Sequence, residues 1–171
     1  MGNYSLKNGL ISGGVQVGVM VLFYFISAIM LISFAPMVCF FVYLGFMRQT
    51  VVQYKREKGG YISFKDAFRA SWLTFIPGSV ILAVFNYLLF NFMDPHLLEI
   101  QREILVETFE KMATFLPMSD EEYDKQLELL NNQNPYGLQS LATALPLSFL
   151  FPGALIAAIM ALIMKKEPTL E

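Results

Sequence analysis

Residues 9–47 read GLISGGVQVGVMVLFYFISAIMLISFAPMVCFFVYLGFM, 39 positions without a single Asp, Glu, Lys or Arg. Soluble chains carry charge at about one position in four. This chain of 171 residues carries it at 15%, with 56% hydrophobic residues and a mean hydropathy of +0.52. At ~1.5 Å per residue, one helix of that length would reach ~58 Å, nearly twice the ~30 Å hydrocarbon core of a bilayer. The stretch must therefore turn back on itself. Ser33-Phe34-Ala35-Pro36 is the expected break, because proline cannot continue a helix but suits the first turn of a new one. Spans over about 8–31 and 36–52 result, with the long stem of Arg48 free to snorkel towards the interface.

Two further charge-free runs lie at Ala70–Met93 and Leu129–Met164, the second continuously apolar from about Leu138. They supply spans over about 68–93 and 138–164, each long enough to cross. The expected fold is an all-α integral membrane protein, 1–171 forming one membrane domain with four transmembrane helices. A cleaved signal peptide is the competing reading of the N-terminus. The apolar stretch is longer than the usual hydrophobic region and flows straight into more apolar sequence, so an uncleaved first span is expected.

Orientation follows the distribution of Lys and Arg between loops. Lys7, Arg48, Lys55, Arg56, Lys58, Lys65, Arg69, Lys165 and Lys166 fall on one side, and only Arg102, Lys111 and Lys125 on the other. Nine against three places both termini and the 53–67 loop in the cytoplasm. Ten of the fourteen acids lie between Asp94 and Glu128, which gives the outer segment a net charge of −7.

The cytoplasmic loop begins with Lys55-Arg56-Glu57-Lys58, breaks at Gly59-Gly60, and restarts with Ser63-Phe64-Lys65-Asp66, the form of a capping box. Tyr61, Phe64 and Phe68 sit at helical spacing beside the basic residues, which suits an amphipathic entry to span three in the headgroup region. Lys55, Arg56, Lys58 and Lys65 are the candidate lipid-headgroup contacts, each basic residue near an anionic surface adding ~1 kcal/mol. The alternative is that they act only as the topogenic signal. Either way the bilayer is the one partner the composition requires.

Two tight apolar spans, YKREKGGYISFKDAF at residues 54–68, a third span ending at Asp94-Pro95, an acidic helical segment and a last span closed by Lys165-Lys166 resemble the bacterial membrane proteins of domain of unknown function 4199. The likeness covers nearly the whole chain, and Gly59 to Phe68 with Asp94-Pro95 are its specific parts. It implies a multi-pass protein of the bacterial inner membrane and brings no activity, substrate or catalytic residue.

Residues 94–137 read as an extracytoplasmic αα-hairpin between spans three and four. Leu98, Leu105, Phe109, Met112 and Leu116 recur on one face of a first helix over 97–116, with Glu99, Glu103, Glu107 and Glu110 on the other. Pro117 is expected to end it. Ser119-Asp120-Glu121-Glu122 is a second capping-box pattern, and Tyr123, Leu127 and Leu130 form the apolar edge of the helix that follows. Residues 131–137, with Pro135, turn the chain back. The acidic face is a candidate contact surface. Oxygen ligands there also suit Ca²⁺ or Mg²⁺, but no EF-hand spacing occurs and a solvated face is the simpler reading. His96 is the only histidine and Cys39 the only cysteine, so no multi-histidine or cysteine metal site, and no cofactor, is expected. Asp94-Pro95-His96 reads as a cap.

The span interiors hold no ionisable residue at membrane depth that would mark a pathway or relay. Gln16, Asn86 and Asn91 read as hydrogen-bonding glue between helices. Gly9-x3-Gly13, Gly14-x3-Gly18 and Gly153-x3-Ala157 allow close helix packing, within the chain or through self-association at Gly14, Gly18 and Gly153. Pro36, Pro77 and Pro152 are the candidate helix breaks. No nucleophile elbow, zinc-protease, Walker or dinucleotide pattern occurs, so no enzyme is expected, and nothing suggests nucleic acid. The expected function is a small inner-membrane accessory or scaffold protein with an acidic outer surface. The alternative is an oligomeric transporter or channel subunit that uses the Pro-Gly breaks of spans three and four.

Overall fold

A computed structural model describes residues 2–115 and 118–166. Leu116 and Pro117, assigned above to the end of the first acidic helix, lie outside the described residues, as does the C-terminal end of the chain. The fold is all-helical: α1 Gly2–Ile26, α2 Ala28–Ser33, α3 Ala35–Glu57, α4 Phe64–Leu88, α5 His96–Ala113, α6 Asp120–Asn132, α7 Leu138–Ser148 and α8 Leu155–Met164. A π-helical turn, Leu89–Met93, extends α4, and a second, Phe149–Ala154, joins α7 to α8. Four of the resulting helices are long and apolar enough to cross a membrane: Asn3–Ile26, Ala35–Glu57, Phe64–Met93 and Leu138–Met164.

The reversal after the first span differs from the expected single break at Ser33–Pro36. It has two corners, Ser27 in extended backbone (φ −171°, ψ 138°) and Phe34, with the six-residue α2 between them. The physical reason is backbone satisfaction. No water replaces a lost bond inside a bilayer, and the two corners keep four backbone bonds: Ser27 N–H donates to Phe23 O, Leu31 to Ser27, Phe34 to Met30 and Val38 to Phe34, at 2.9–3.2 Å. Pro36 then sits in the first turn of α3, where its missing N–H costs nothing.

The chain divides into two compact units, Met1–Phe85 with Ala142–Glu171, and Asn86–Leu141. In the first, Val51 and Tyr54 of α3, Ile62, Ala67 and Ala70 around the start of α4, and Ala161 of α8 form a buried cluster against which Tyr4 of α1 packs. A second cluster joins Tyr43, Met47, Phe75, Ile156 and Ala157. Small residues set how closely the helices approach. A Cβ on Gly9 would stand 2.5 Å from the Thr74 carbonyl oxygen and closer still to the Pro77 ring, and one on Gly13 would stand 2.8 Å from Ile81. Gly14 and Gly18 have open space around them. The two successive glycine pairs of α1 thus do different work. One seats α4 and the other faces outward.

The proline expectations divide in the same way. α4 runs unbroken through Pro77, contrary to the expected break, because α1 packs backbone-close against that turn and neighbouring helices make an interior proline tolerable. Beside Pro152 the chain does break, with Phe151 at φ −140° and ψ 118° and a cis peptide between the two. Gly153 is not an outward-facing position, as self-association there required. It lies under the Phe75 ring, 2.8 Å from where a Cβ would be.

Candidate functional site

Three arrangements carry the chemistry of this chain. The first is a polar seam in the unit that holds α1. Ser5, Asn8, Ser12 and Gln16 recur at steps of three, four and four, so they share one face of α1, and all are buried. Leu6, Leu10, Ile11 and Val15 on the other faces are exposed. This is a helix with its polar side inward, as expected where the outer solvent is lipid. Asn8 Nδ2 donates to Thr50 Oγ1 at 2.9 Å and to Gln53 Oε1 at 2.7 Å, both on α3. Thr74 Oγ1 on α4 lies 3.0 Å from Thr50 Oγ1 and 2.8 Å from Ala70 O, so its single proton serves one at a time. Ser5 Oγ donates to Ala70 O at 3.1 Å.

Asn8, Thr50 and Thr74 therefore tie three helices at one level. Gln16 donates to Ser12 on its own helix at 3.0 Å, while its Oε1 finds no partner, and neither does Asn86 Oδ1. The sequence reading named Gln16 but passed over Ser5, Asn8 and Ser12, although their 3-4-4 spacing with Gln16 was visible. Short hydroxyl and amide side chains dispersed in apolar sequence do not announce themselves as a face.

The second arrangement lies where the basic loop meets the end of α8. Gly60 N–H bonds to Lys55 O at 2.8 Å and Gly59 N–H to Arg56 O at 3.2 Å, a Schellman motif that stops α3. It needs φ of +70° and +92° at Gly59 and Gly60, values open to glycine. The chain then runs past Ile62, which exchanges two backbone hydrogen bonds with Lys166, both at 2.9 Å. Lys55 Nζ donates to Met164 O at 3.0 Å and so closes the C-terminus of α8. Lys166 Nζ stands 5.5 Å over the Tyr61 ring. Lys58 pairs with Asp66, and Tyr4 OH donates to Glu57 Oε1 at 2.6 Å.

Ser63 caps α4 by accepting from Asp66 N–H at 3.2 Å. Of the four basic residues singled out as headgroup contacts, Lys55 and Lys58 are thus engaged within the chain, whereas Arg56 and Lys65 are exposed. Tyr61 precedes the helix and meets Lys166. Phe64 and Phe68 do share its face.

The third arrangement is the α5–α6 hairpin of the second unit. The capping box at its second helix is complete: Glu122 N–H donates to Ser119 Oγ at 3.3 Å, and Ser119 N–H to Glu122 Oε2 at 3.2 Å. The backbone N–H and then the hydroxyl of Ser119 hold the Glu122 carboxyl below the ordinary carboxylate range. Phe109 stacks on Tyr123 at 5.3 Å to join the two helices.

Glu103, Glu107 and Glu110 line an open groove of about 420 Å³ with Arg102, Val106 and Asn131. Glu107 pairs with Lys111 at 2.6 Å, which lowers its pKa. Glu99 stands 2.8 Å from His96 Nδ1. Among the described residues no three His, Cys, Asp or Glu side chains are placed to hold a metal ion.

The expected apolar stripe is only partly covered: Leu98 and Phe109 are half-buried, Leu105 and Met112 exposed, and Leu97 is the fully buried residue of α5. Outside that stripe Phe115, 86% exposed, and Leu129 are also uncovered. In the same unit Asn91 Nδ2 donates to Tyr87 O and Tyr136 O, each at 2.9 Å, and Asn134 donates back to Asn91 Oδ1 at 2.8 Å. Tyr136 stacks on Phe90 with ring centres 4.0 Å apart. This clasp closes the turn that the sequence reading placed at 131–137.

A family model described as protein of unknown function (DUF4199) matches residues 7–166, so the chain belongs to that family. No curated protein and no solved structure matches the chain.

Proposed function

We propose that this DUF4199 member is a small accessory or scaffold protein of the bacterial inner membrane, whose α5–α6 hairpin is an extracytoplasmic contact surface for another protein. It performs no catalysis of its own. Both termini and the basic loop lie in the cytoplasm, an orientation supported by the nine-to-three imbalance of Lys and Arg. The observation that carries the contact reading is the mixed character of the hairpin. Met112, Phe115, Leu105 and Leu129 are uncovered in a segment that also carries a groove edged by Glu103, Glu107 and Glu110. Large apolar side chains left uncovered on a charged helix pair mark interaction surfaces more often than singly scattered ones do.

A photo-crosslinking residue at position 115 should trap one discrete partner in cells. Glu103→Lys with Glu107→Lys should abolish that adduct, while Asp124→Lys should leave it. Indifference of the adduct to the groove substitutions would sink the reading. Reporters fused after Gly60 and after Phe115 should report inside and outside, and a cytoplasmic signal from the second would overturn the orientation.

A further inference from the structure

Cations outnumber acids around the start of α4, and the structure divides them into committed and free. Glu57 accepts from Tyr4, Asp66 pairs with Lys58, and Lys55 closes α8 through the Met164 carbonyl. Both acids of the loop are therefore already engaged. Arg56 at the end of α3 and Lys65 and Arg69 of α4 are exposed, and among the described residues no carboxylate forms an ion pair with any of them; Lys65 and Arg69 are the two that share a helix. They stand four apart on α4, on one face and one turn from each other, where like charges repel. Asp66 lies next to Lys65 in sequence and feels its charge, but its hydrogen bond and ion pair go to Lys58.

What lies beside the pair identifies the ligand. Phe64, Phe68 and Trp72 run up the same helix as a ladder of rings, 6.3 Å between centres at each step, with interplanar angles of 23° and 18°. Trp72 Nε1–H donates to Phe149 O at 2.8 Å, which fixes the ladder's inner end. Phe64, at its outer end, is 37% exposed. From here α4 continues as a helix apolar and long enough to cross a membrane. Aromatic rings at such a boundary sit at headgroup level. Phe68 and Trp72 pack partly against the buried clusters of the bundle and keep only their outer edges open; a soluble anion would satisfy the cations alone, whereas an anion carrying acyl chains would also cover those edges.

We propose that Lys65 and Arg69 form a headgroup site for an anionic phospholipid, whose acyl chains lie beside the Phe64–Phe68–Trp72 ladder. Arg69 supplies a fork of donors for phosphate oxygens and Lys65 a mobile point charge. Lys55 and Lys58, engaged within the chain, take no part. The site is independent of which protein the hairpin meets and of which way the chain is oriented.

Trp72 is the only tryptophan in the chain, and it makes the test direct. The full-length protein is reconstituted in phosphatidylcholine vesicles that contain a minor fraction of brominated phosphatidylglycerol or, separately, brominated phosphatidylcholine. Trp72 fluorescence should be quenched more by the anionic lipid. Each cation removed should weaken that preference about fivefold, so Lys65→Gln with Arg69→Gln should bring it close to none. Lys65→Arg with Arg69→Lys, which keeps both charges, should retain most of it, and Lys111→Gln with Lys125→Gln should leave it unchanged. Equal quenching by the two lipids overturns the proposal, as does full preference in the Lys65→Gln/Arg69→Gln protein. Loss of preference on adding inorganic phosphate at matched ionic strength overturns the lipid assignment in favour of a free-phosphate site.

Discussion

Replacing Gly9 by alanine should destabilise the protein, while the same change at Gly14, five residues along the same helix, should not. A Cβ at Gly9 would lie 2.5 Å from the Thr74 carbonyl oxygen, where ordinary contact begins at 3.4 Å, and it also meets the Pro77 ring. Neither neighbour can give way, since one is helical backbone and the other a closed ring. α1 and α4 must separate locally by roughly 1 Å, and a gap of that order forfeits a quarter to a half of each dispersion contact along the crossing. Overpacking of this kind costs about 1–3 kcal/mol.

Gly14 has nothing within 4 Å of a Cβ, so only the change in helix propensity acts there, at most ~1 kcal/mol in favour of alanine. Both positions lie inside α1, so that propensity gain cancels when the two variants are compared. The difference between them should be the crossing term alone, about 1–3 kcal/mol, or between 5- and 150-fold in the unfolding equilibrium. Unfolding in mixed micelles by titration with a denaturing detergent, followed through Trp72, measures it. Equal stability of Gly9→Ala and Gly14→Ala would refute the packing of α1 on α4 described above.

Gly14→Ile with Gly18→Ile, which adds bulk to the outward face, should leave unfolding unchanged and should lower the particle mass in detergent only if copies associate through that face. Asn8→Ala removes the donor shared by Thr50 and Gln53; it should cost about 1–2 kcal/mol, and a Thr50→Val background should reduce that cost in a double-mutant cycle. Glu122 has its carboxyl held down in the folded state by Ser119. Its contribution is therefore complete above the unfolded value of ~4.3 and is lost as pH falls through the lower folded value. Amide exchange in α6 should accelerate over that acid window. Ser119→Ala should remove the window and weaken the helix by about 1 kcal/mol at neutral pH.

Several features were legible without coordinates because they depend on length and on neighbours in sequence. A 39-residue apolar run has to fold back within a bilayer. The Ser119–Glu122 box needs two residues three apart, and the Gly59-Gly60 stop needs two adjacent glycines free to take positive φ. The seam of α1 was legible in principle, since Ser5, Asn8, Ser12 and Gln16 obey the helical period. It was missed because the partners of Ser5 and Asn8, namely Ala70, Thr50 and Gln53, lie more than forty positions away along the chain.

Four helices of spanning length, the α5–α6 helix pair and the uneven spacing of cations along the chain were thus determined by the order of residues alone, because hydropathy, helix caps and charge placement are local properties. Tertiary structure alone decided which of two successive glycine pairs is a contact and which is free, because an absent side chain carries no sign of what stands opposite it. It also decided which cations are free. Lys55 and Lys65 look equivalent in sequence, yet one meets the Met164 carbonyl 109 residues away and the other meets solvent. A charge is spent or available according to its neighbours in space, and those are set only when α3, α4 and α8 come together.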